Sequence, residues 1–233
     1  MSWKDGVDRL PSLAPVDFDL DPGRTALVII DMQYLDAHRD YGLGKNLKDN
    51  YPAVWSYYFD RVDNKVVPNT RRLLDEFRRR GMRVIHITLG PVLADGSDMV
   101  RLRQPKGSSG LKSLLHNVGT FEHGILEELR PVEGEIVVNK TSRGAFNSAA
   151  VERLFLNFGL DMLIFAGVTT SACVDLTARD AADRGFKSVI VEDATAELDE
   201  VSHEGTLRQF AVRWGRVWTT DETLNHISDA ASS

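Results

Sequence analysis

The run D-M-L-I-F-A-G-V-T-T-S-A-C-V, residues 161–174, decides the fold. Met162 to Gly167 is an unbroken series of apolar and small residues, the composition of a strand buried on both faces of a parallel sheet. Three hydroxyl residues follow (Thr169, Thr170, Ser171), and the next segment, V-D-L-T-A-R-D-A-A, carries apolar positions at helical spacing. Strand, turn and helix in that order put Cys173, the single cysteine, in the first turn of the helix. Unpaired amides and the helix dipole favour negative charge there, so the thiolate is expected to form more easily than in free solution. The competing reading is a small buried hydrophobe. The strand-turn-helix context favours a nucleophile.

Outward from this stretch the same alternation recurs. Strands are predicted at Thr25–Ile30, Met82–Thr88, Glu135–Asn139, Lys187–Val191 and Arg216–Trp218, besides the opening one. Helices are predicted at Val66–Gly81, Phe146–Phe158, the segment reaching Arg184, Glu200–Val212 and Glu222–Ile227. In the first of these, Pro68 marks the start, Leu73, Leu74 and Phe77 share a face, and Gly81 is the stop. Its run Arg78-Arg79-Arg80 reads as a solvated helix end that suits the dipole, ahead of a phosphate site. Alternating strands and helices imply an α/β class: one domain, three layers (α/β/α), Rossmann-like, with a mainly parallel six-stranded sheet.

Residues 1–23, interrupted by Pro11, Pro15 and Pro22, read as an arm that wraps or pairs with another subunit. The domain spans 24–228, and 229–233 is a tail. Segments 32–65 and 89–123 show no periodicity; loops of that length are functional or hide a short helix. Of 233 residues 42% are hydrophobic, net charge is −6 and the pI about 5.5, which points away from nucleic acid and anionic membranes as partners. One cysteine excludes an internal disulfide framework and fits a reducing cytoplasm. The first ten residues lack the apolar centre of a signal peptide, and no run approaches the ~20 apolar residues of a membrane span.

In open parallel sheets, ligands sit beyond the carboxyl ends of the strands where strand order reverses. Three reactive side chains fall at such ends: Asp31 after the first strand, Lys140 after the third and Cys173 after the fourth. An attacking thiol needs a base, a stabilised oxyanion and a positioned carbonyl. Asp31 could take the thiol proton and pass it to a leaving amine, with Lys140 between them favouring the charged forms of both. Taken singly, a strand-end Asp is often a helix cap and a strand-end Lys often only solvated. Their coincidence with Cys173 favours a catalytic set.

These residues resemble the isochorismatase-like cysteine hydrolases, a family that includes nicotinamidases and the N-carbamoylsarcosine, ureidoacrylate and biuret hydrolases. The resemblance rests on T-A-L-V-I-I-D-M-Q (25–33), K-T-S-R-G-A-F-N-S (140–148), A-G-V-T-T-S-A-C-V (166–174), T-A-R-D-A-A-D-R-G-F (177–186) and V-E-D-A (191–194). It implies an Asp31, Lys140, Cys173 triad, a non-proline cis peptide at Val168–Thr169, and an oxyanion hole from the Thr169 and Cys173 amides. It also implies a homo-oligomer, dimer or tetramer, with a neighbouring chain contributing to the pocket. The implied reaction is metal-independent, cofactor-free hydrolysis of a small amide or ureide through a Cys173 thioester.

Nicotinamidases carry an Asp and His metal pair after the first long loop. Here Asp36 and His38 echo it, but no further His follows through Asn46, so no catalytic metal is expected. His86, inside an apolar strand, reads as a hydrogen-bonded core residue. Counting back from the last strand, Arg213 falls where biuret hydrolases place a substrate-selecting Gln. It would pair with a substrate carboxylate or be a surface residue at a helix end. Gln33, Tyr34, Phe146 and Trp214 are expected pocket walls or plain core. The reading is therefore a cysteine amidohydrolase for a biuret-, triuret- or ureido-acid-like compound. The alternatives are a nicotinamidase-like amidase and a non-catalytic binding protein.

Overall fold

The computed structural model describes residues 2–7, 10, 11, 13, 18–101 and 116–230. Six strands, β1 (Thr25–Ile30), β2 (Arg83–Leu89), β3 (Ile136–Lys140), β4 (Met162–Val168), β5 (Lys187–Ala196) and β6 (Arg216–Trp218), form one sheet. Every pairing is parallel, and the order is β3-β2-β1-β4-β5-β6. The chain thus steps outward from β1 to β3, returns to the centre at β4 and steps outward the other way. Order reverses between β1 and β4, which opens the crevice for a ligand beyond their carboxyl ends.

The two central strands are buried along their whole length, as their uninterrupted apolar sequences require. Alternate residues feed opposite cores. Leu27 and Ile29 face a layer holding Leu73, Leu74 and Phe77 of α4 (Val67–Arg79) and Ile227 of α8 (Thr220–Ala230). Ala26, Val28 and Ile30 face Phe155 of α5 (Val151–Asn157), Ala178 and Ala181 of α6 (Asp175–Asp183), and Leu207 and Phe210 of α7 (Glu200–Arg213). The three-layer reading holds. So does single-strand detail, with β1 and β6 at their expected bounds.

Several boundaries move. Segment 32–65 is mostly helical: α1 (Tyr34–Ala37), α2 (Gly42–Asn50) and α3 (Pro52–Arg61), then a π-helical turn, Val62–Val66, that runs into α4. Tyr58 and Phe59 of α3 and Val62 and Val66 of the turn are fully buried, so core packing holds this path helical where propensity alone is weak. The helix expected from Phe146 instead begins at Val151, after a short 3₁₀ turn at Ala145–Asn147. β5 continues five residues past Val191. α8 extends to Ala230, taking in the first residues assigned to the tail. The arginine run is paired, not merely solvated: Arg78 binds Glu135 through two nitrogens, and Arg79 and Arg80 both bind Glu76.

The described part of the N-terminal arm docks on its own chain. Trp3 is buried, its indole N–H donating to Glu192 and its backbone N–H to Glu204 of α7. Among the described residues no helix is long and apolar enough to cross a membrane.

Candidate active site

Asp31 follows β1 directly and adopts a left-handed backbone, φ 53°. For a residue with a Cβ that conformation is uncommon, and Asp and Asn tolerate it best. Its N–H donates to the Ile87 carbonyl of β2 (2.9 Å), which turns the side chain off the strand end. Lys140 closes β3, in register with Leu89 of β2, and its stem reaches past the end of β2. Its Nζ donates to Asp31 Oδ2 at 2.8 Å. Both side chains are sealed, 0% and 1% exposed, so this is a fully desolvated ion pair. Burial works against the ammonium, but the charges of Asp31 and the thiol, together with the Asp31 hydrogen bond, outweigh it and raise the Lys140 pKa.

The third partner comes from the turn after β4. Gly167 lies at φ 116°, and a Cβ there would fall 2.0 Å from the Ile30 carbonyl oxygen. Only glycine lets β4 come this close to β1 before the chain turns. The peptide Val168–Thr169 is cis. Thr170–Val174 is a π-helical turn leading into α6, and the Thr169 carbonyl accepts from the amides of Ala172 and Val174, each at 3.2 Å. Thr177 Oγ1 donates to the Cys173 carbonyl (2.7 Å) and accepts from the Ala145 amide (3.2 Å), tying this turn to the loop after Lys140.

The thiol of Cys173 is buried, and Asp31 lies near enough for its charge to act on it. Asp31 Oδ1, the oxygen not taken by Lys140, is buried with no hydrogen-bond partner. Burial, then the Asp31 charge, pushes the thiol pKa up to about 12, with Lys140 offsetting part of the rise. This corrects the expectation of a ready thiolate. The pull of a helix start is outweighed by the loss of water and by a carboxylate next door. At neutral pH this favours the thiol over the thiolate, with the Asp31 carboxylate nearby.

The expected pocket residues separate. Gln33 is fully buried and engaged: Oε1 accepts from the Leu89 amide (2.7 Å), and Nε2 donates to the carbonyls of His123 (2.7 Å) and Leu89 (3.3 Å). It clamps the end of β2 to the 116–126 loop and presents no free amide. Tyr34 is half-buried in an aromatic group with Phe121 (4.5 Å), His38 (5.4 Å) and Tyr41 (5.8 Å). Phe146 packs edge-on against Phe155 at 5.8 Å with the Arg184 guanidinium over its face at 4.6 Å, so it belongs to the core. Arg213 is exposed, and it ends α7, a helix that starts beside the carboxyl edge of the sheet and runs back to the start of β6. Fourteen residues carry it about 20 Å along the helix axis, to the opposite edge of the sheet. Trp214 follows it there, half-buried under Arg179 (5.8 Å). Neither residue faces Asp31, Lys140 and Cys173 of its own chain, because a parallel connection must return to the amino edge before the next strand.

His38 packs at a tilt against both Tyr34 and Tyr41, and its Nδ1 accepts from the Asp40 amide at 3.2 Å. Among the described residues, no group of three or more His, Cys, Asp or Glu side chains is placed to hold a metal ion. Asp36 lies near enough for its charge to act on both Lys140 and Cys173. His86 is buried on Glu135 (3.1 Å), as a core histidine.

Two residues on the far side of the turn were missed in the sequence. Glu197 Oε2 accepts from the Ser171 amide (2.7 Å) and hydroxyl (2.6 Å), and His203 Nδ1 meets Thr170 Oγ1 at 2.9 Å. Both sit just beyond β5, at the edge where the site must lie, and that position is the signal that could have found them.

Residues 25–222 match the Isochorismatase domain model. The ureidoacrylate amidohydrolase RutB of Agrobacterium fabrum is 28% identical over 229 residues, covering 93% of this chain and 96% of that protein. The uncharacterized isochorismatase family protein YwoC of Bacillus subtilis is 26% identical over 209 residues, 90% of this chain and 97% of that protein. In fold, a cysteine hydrolase from Pseudomonas syringae pv. phaseolicola superposes with a TM-score of 0.75 at 23% identity, covering 94% of this chain and 98% of that one. An N-carbamoylsarcosine amidase from Thermoplasma acidophilum gives 0.62 at 23% identity, covering 85% and 98%. A domain match over nearly the whole sheet, together with the fold of these neighbours, places the chain: it belongs to the isochorismatase-domain family of hydrolases.

Proposed function

We propose that the chain is a cysteine amidohydrolase that cleaves a C–N bond of a small ureido or carbamoyl compound and needs no metal. The observation that carries this reading is the sealed Lys140–Asp31 pair with the Cys173 thiol beside the carboxylate. As sulfur attacks the substrate carbonyl, its proton passes to Asp31, so the thiolate exists only as the C–S bond forms. Oxyanion charge then falls on the amides of the cis-peptide turn, Thr169 and Cys173. Asp31 returns the proton to the departing nitrogen, ammonia or an amine leaves, and a thioester remains on Cys173. Asp31 next takes a proton from water as the hydroxyl oxygen attacks. Collapse releases the acid product and restores the thiol. Lys140 keeps its charge throughout and offsets the change on Asp31.

The ureide choice draws on the similarity to ureidoacrylate amidohydrolases and on the sequence after Asp36 and His38, which carries no further His through Asn46. A nicotinamidase-like amidase is the second reading, favoured by Asp36 lying close to the triad. An ammonia-release screen over biuret, triuret, ureidoacrylate, carbamoyl amino acids and nicotinamide, run beside Cys173→Ala, tests both. Turnover of a ureide that vanishes in Cys173→Ala is expected; turnover of nicotinamide alone would select the second reading, and turnover retained by Cys173→Ala would overturn both. The reading includes a homo-oligomer, for which Tyr51 (60% exposed) and Tyr57 (36%) suit an interface; a monomer by light scattering would remove that part.

A further inference from the structure

Outside the three reacting groups, one polar chain runs through the protein to the nucleophile turn. Arg61, at the end of α3, donates from Nε to the Thr195 carbonyl (2.8 Å) and from Nη2 to the Glu192 carbonyl (2.7 Å). The same Nη2 lies 2.8 Å from His203 Nε2, and His203 Nδ1 lies 2.9 Å from Thr170 Oγ1. Guanidinium nitrogens only donate, so Nε2 must accept. The imidazole proton therefore sits on Nδ1 and points at Thr170. Thr170 follows the cis peptide and precedes Cys173 by three residues; it is wholly buried, as is most of His203.

We infer that His203, locked by Arg61 into its neutral Nδ1–H tautomer, is a positioning residue that holds the Thr169–Cys173 turn in the geometry the reaction needs. Glu197 grips the adjacent Ser171 from the other side, so both hydroxyl residues between the cis peptide and the cysteine are anchored, one from the β5–α7 connection and one from the first turn of α7. A proton on Nε2 would face the guanidinium, which disfavours the imidazolium. Burial first, then Arg61 and Lys65, lowers the His203 pKa to about 3. Those two cations face the ring, while Tyr57, Glu204, Glu192 and Asp193 act on Arg61 behind it. The tautomer lock therefore persists across the neutral range. Thr170 is replaceable as a catalyst, since it has no part in proton transfer, but small shifts of a preorganised turn are costly: ~10²-fold for about 1 Å.

This inference rests on the amidohydrolase reading for its kinetic arm alone. The spectroscopic arm needs no substrate: ¹⁵N-histidine NMR of the resting protein should show His203 as the Nδ1–H form and still neutral at pH 5. The Nε2–H form, or an imidazolium at pH 5, overturns the inference whatever the enzyme's substrate. With a substrate in hand, His203→Leu should lower kcat by about 10- to 100-fold with little change in KM. His203→Asn, which keeps a donor near the Nδ1 position, should recover part of that loss. Thr170→Val should lose as much as His203→Leu, and the double variant no more than either. Equal losses in the Asn and Leu variants, additive losses in the double, or an effect confined to KM would each overturn the inference. If the wild type turns over nothing, the proposed function fails, and the NMR result still decides the tautomer lock.

Discussion

The Lys140 ammonium and the Asp31 carboxylate meet at 2.8 Å with neither side chain in contact with solvent, although they end strands separated by β2. Each charge is bearable only because of the other. Lys140→Met should therefore destabilise the fold by about 3–5 kcal/mol, as a buried charge left alone does. Adding Asp31→Asn to it should restore part of the loss. Urea unfolding of the two variants measures this; a double variant less stable than Lys140→Met would contradict it.

Asp31→Asn separates the two jobs of the carboxylate. Asparagine tolerates the left-handed backbone at this position, so the turn should survive. Turnover should fall by ~10²–10⁴-fold with loss of the base. Iodoacetamide labelling of Cys173 at pH 8 should nonetheless become faster, because the Asp31 charge is one of the causes that raise the thiol pKa. In the wild type, labelling should be slow at neutral pH and still climbing beyond pH 9. Slower labelling of the variant would mean that Asp31 already generates the thiolate at rest.

Gly167→Ala tests how β4 is seated. The added methyl would lie 2.0 Å from the Ile30 carbonyl oxygen at a φ that L side chains rarely adopt. Backbone cannot step aside there without parting β1 from β4. Loss of more than about 3 kcal/mol, or failure to accumulate as folded protein, is expected. Near wild-type stability by thermal or urea unfolding would show that β4 does not approach β1 this closely at Gly167.

His203 predicts a pH dependence of stability. Its folded pKa, about 3, lies below the ordinary value of 6.5, so the unfolded chain takes up the proton first as pH falls. Stability contributed by the neutral ring is whole above pH 6.5 and is lost progressively between there and pH 3, by at most about 1.4 kcal/mol per pH unit. Urea unfolding at pH 7, 6, 5 and 4 should show this loss in the wild type and a shallower one in His203→Asn. Parallel curves would refute the assignment.

Much of the sheet was legible because buried parallel strands leave continuous apolar runs, as T-A-L-V-I-I and M-L-I-F-A-G-V do. Asp31, Lys140 and Cys173 stood out for the same reason, as polar or reactive residues at the ends of such runs. Although the helix that follows it was legible, the helical path from Gly42 to Val66 was not. Its sequence mixes Gly42, Gly44, Asn46 and Asn50 with aromatics, and Pro68 reads as a start although helix already precedes it. There a π-helical turn changes register just ahead of the proline, and the burial of Tyr58, Phe59, Val62 and Val66 supplies what propensity does not. Arg213 takes the second of its two readings, an exposed residue at a helix end, because a count back from β6 fixes sequence distance but not which edge of the sheet a helix end reaches. The resting state of Cys173 was hidden because burial, not position in a helix, sets its pKa.

The most direct test is acid-quenched mass spectrometry of the enzyme mixed with an accepted ureide, followed by mapping of the peptide that contains Cys173. A transient mass gain equal to the acyl fragment, confined to Cys173 and absent from Cys173→Ala, is the predicted result. Turnover with no adduct at Cys173, while Cys173→Ala retains activity on the same substrate, would contradict covalent catalysis by this thiol.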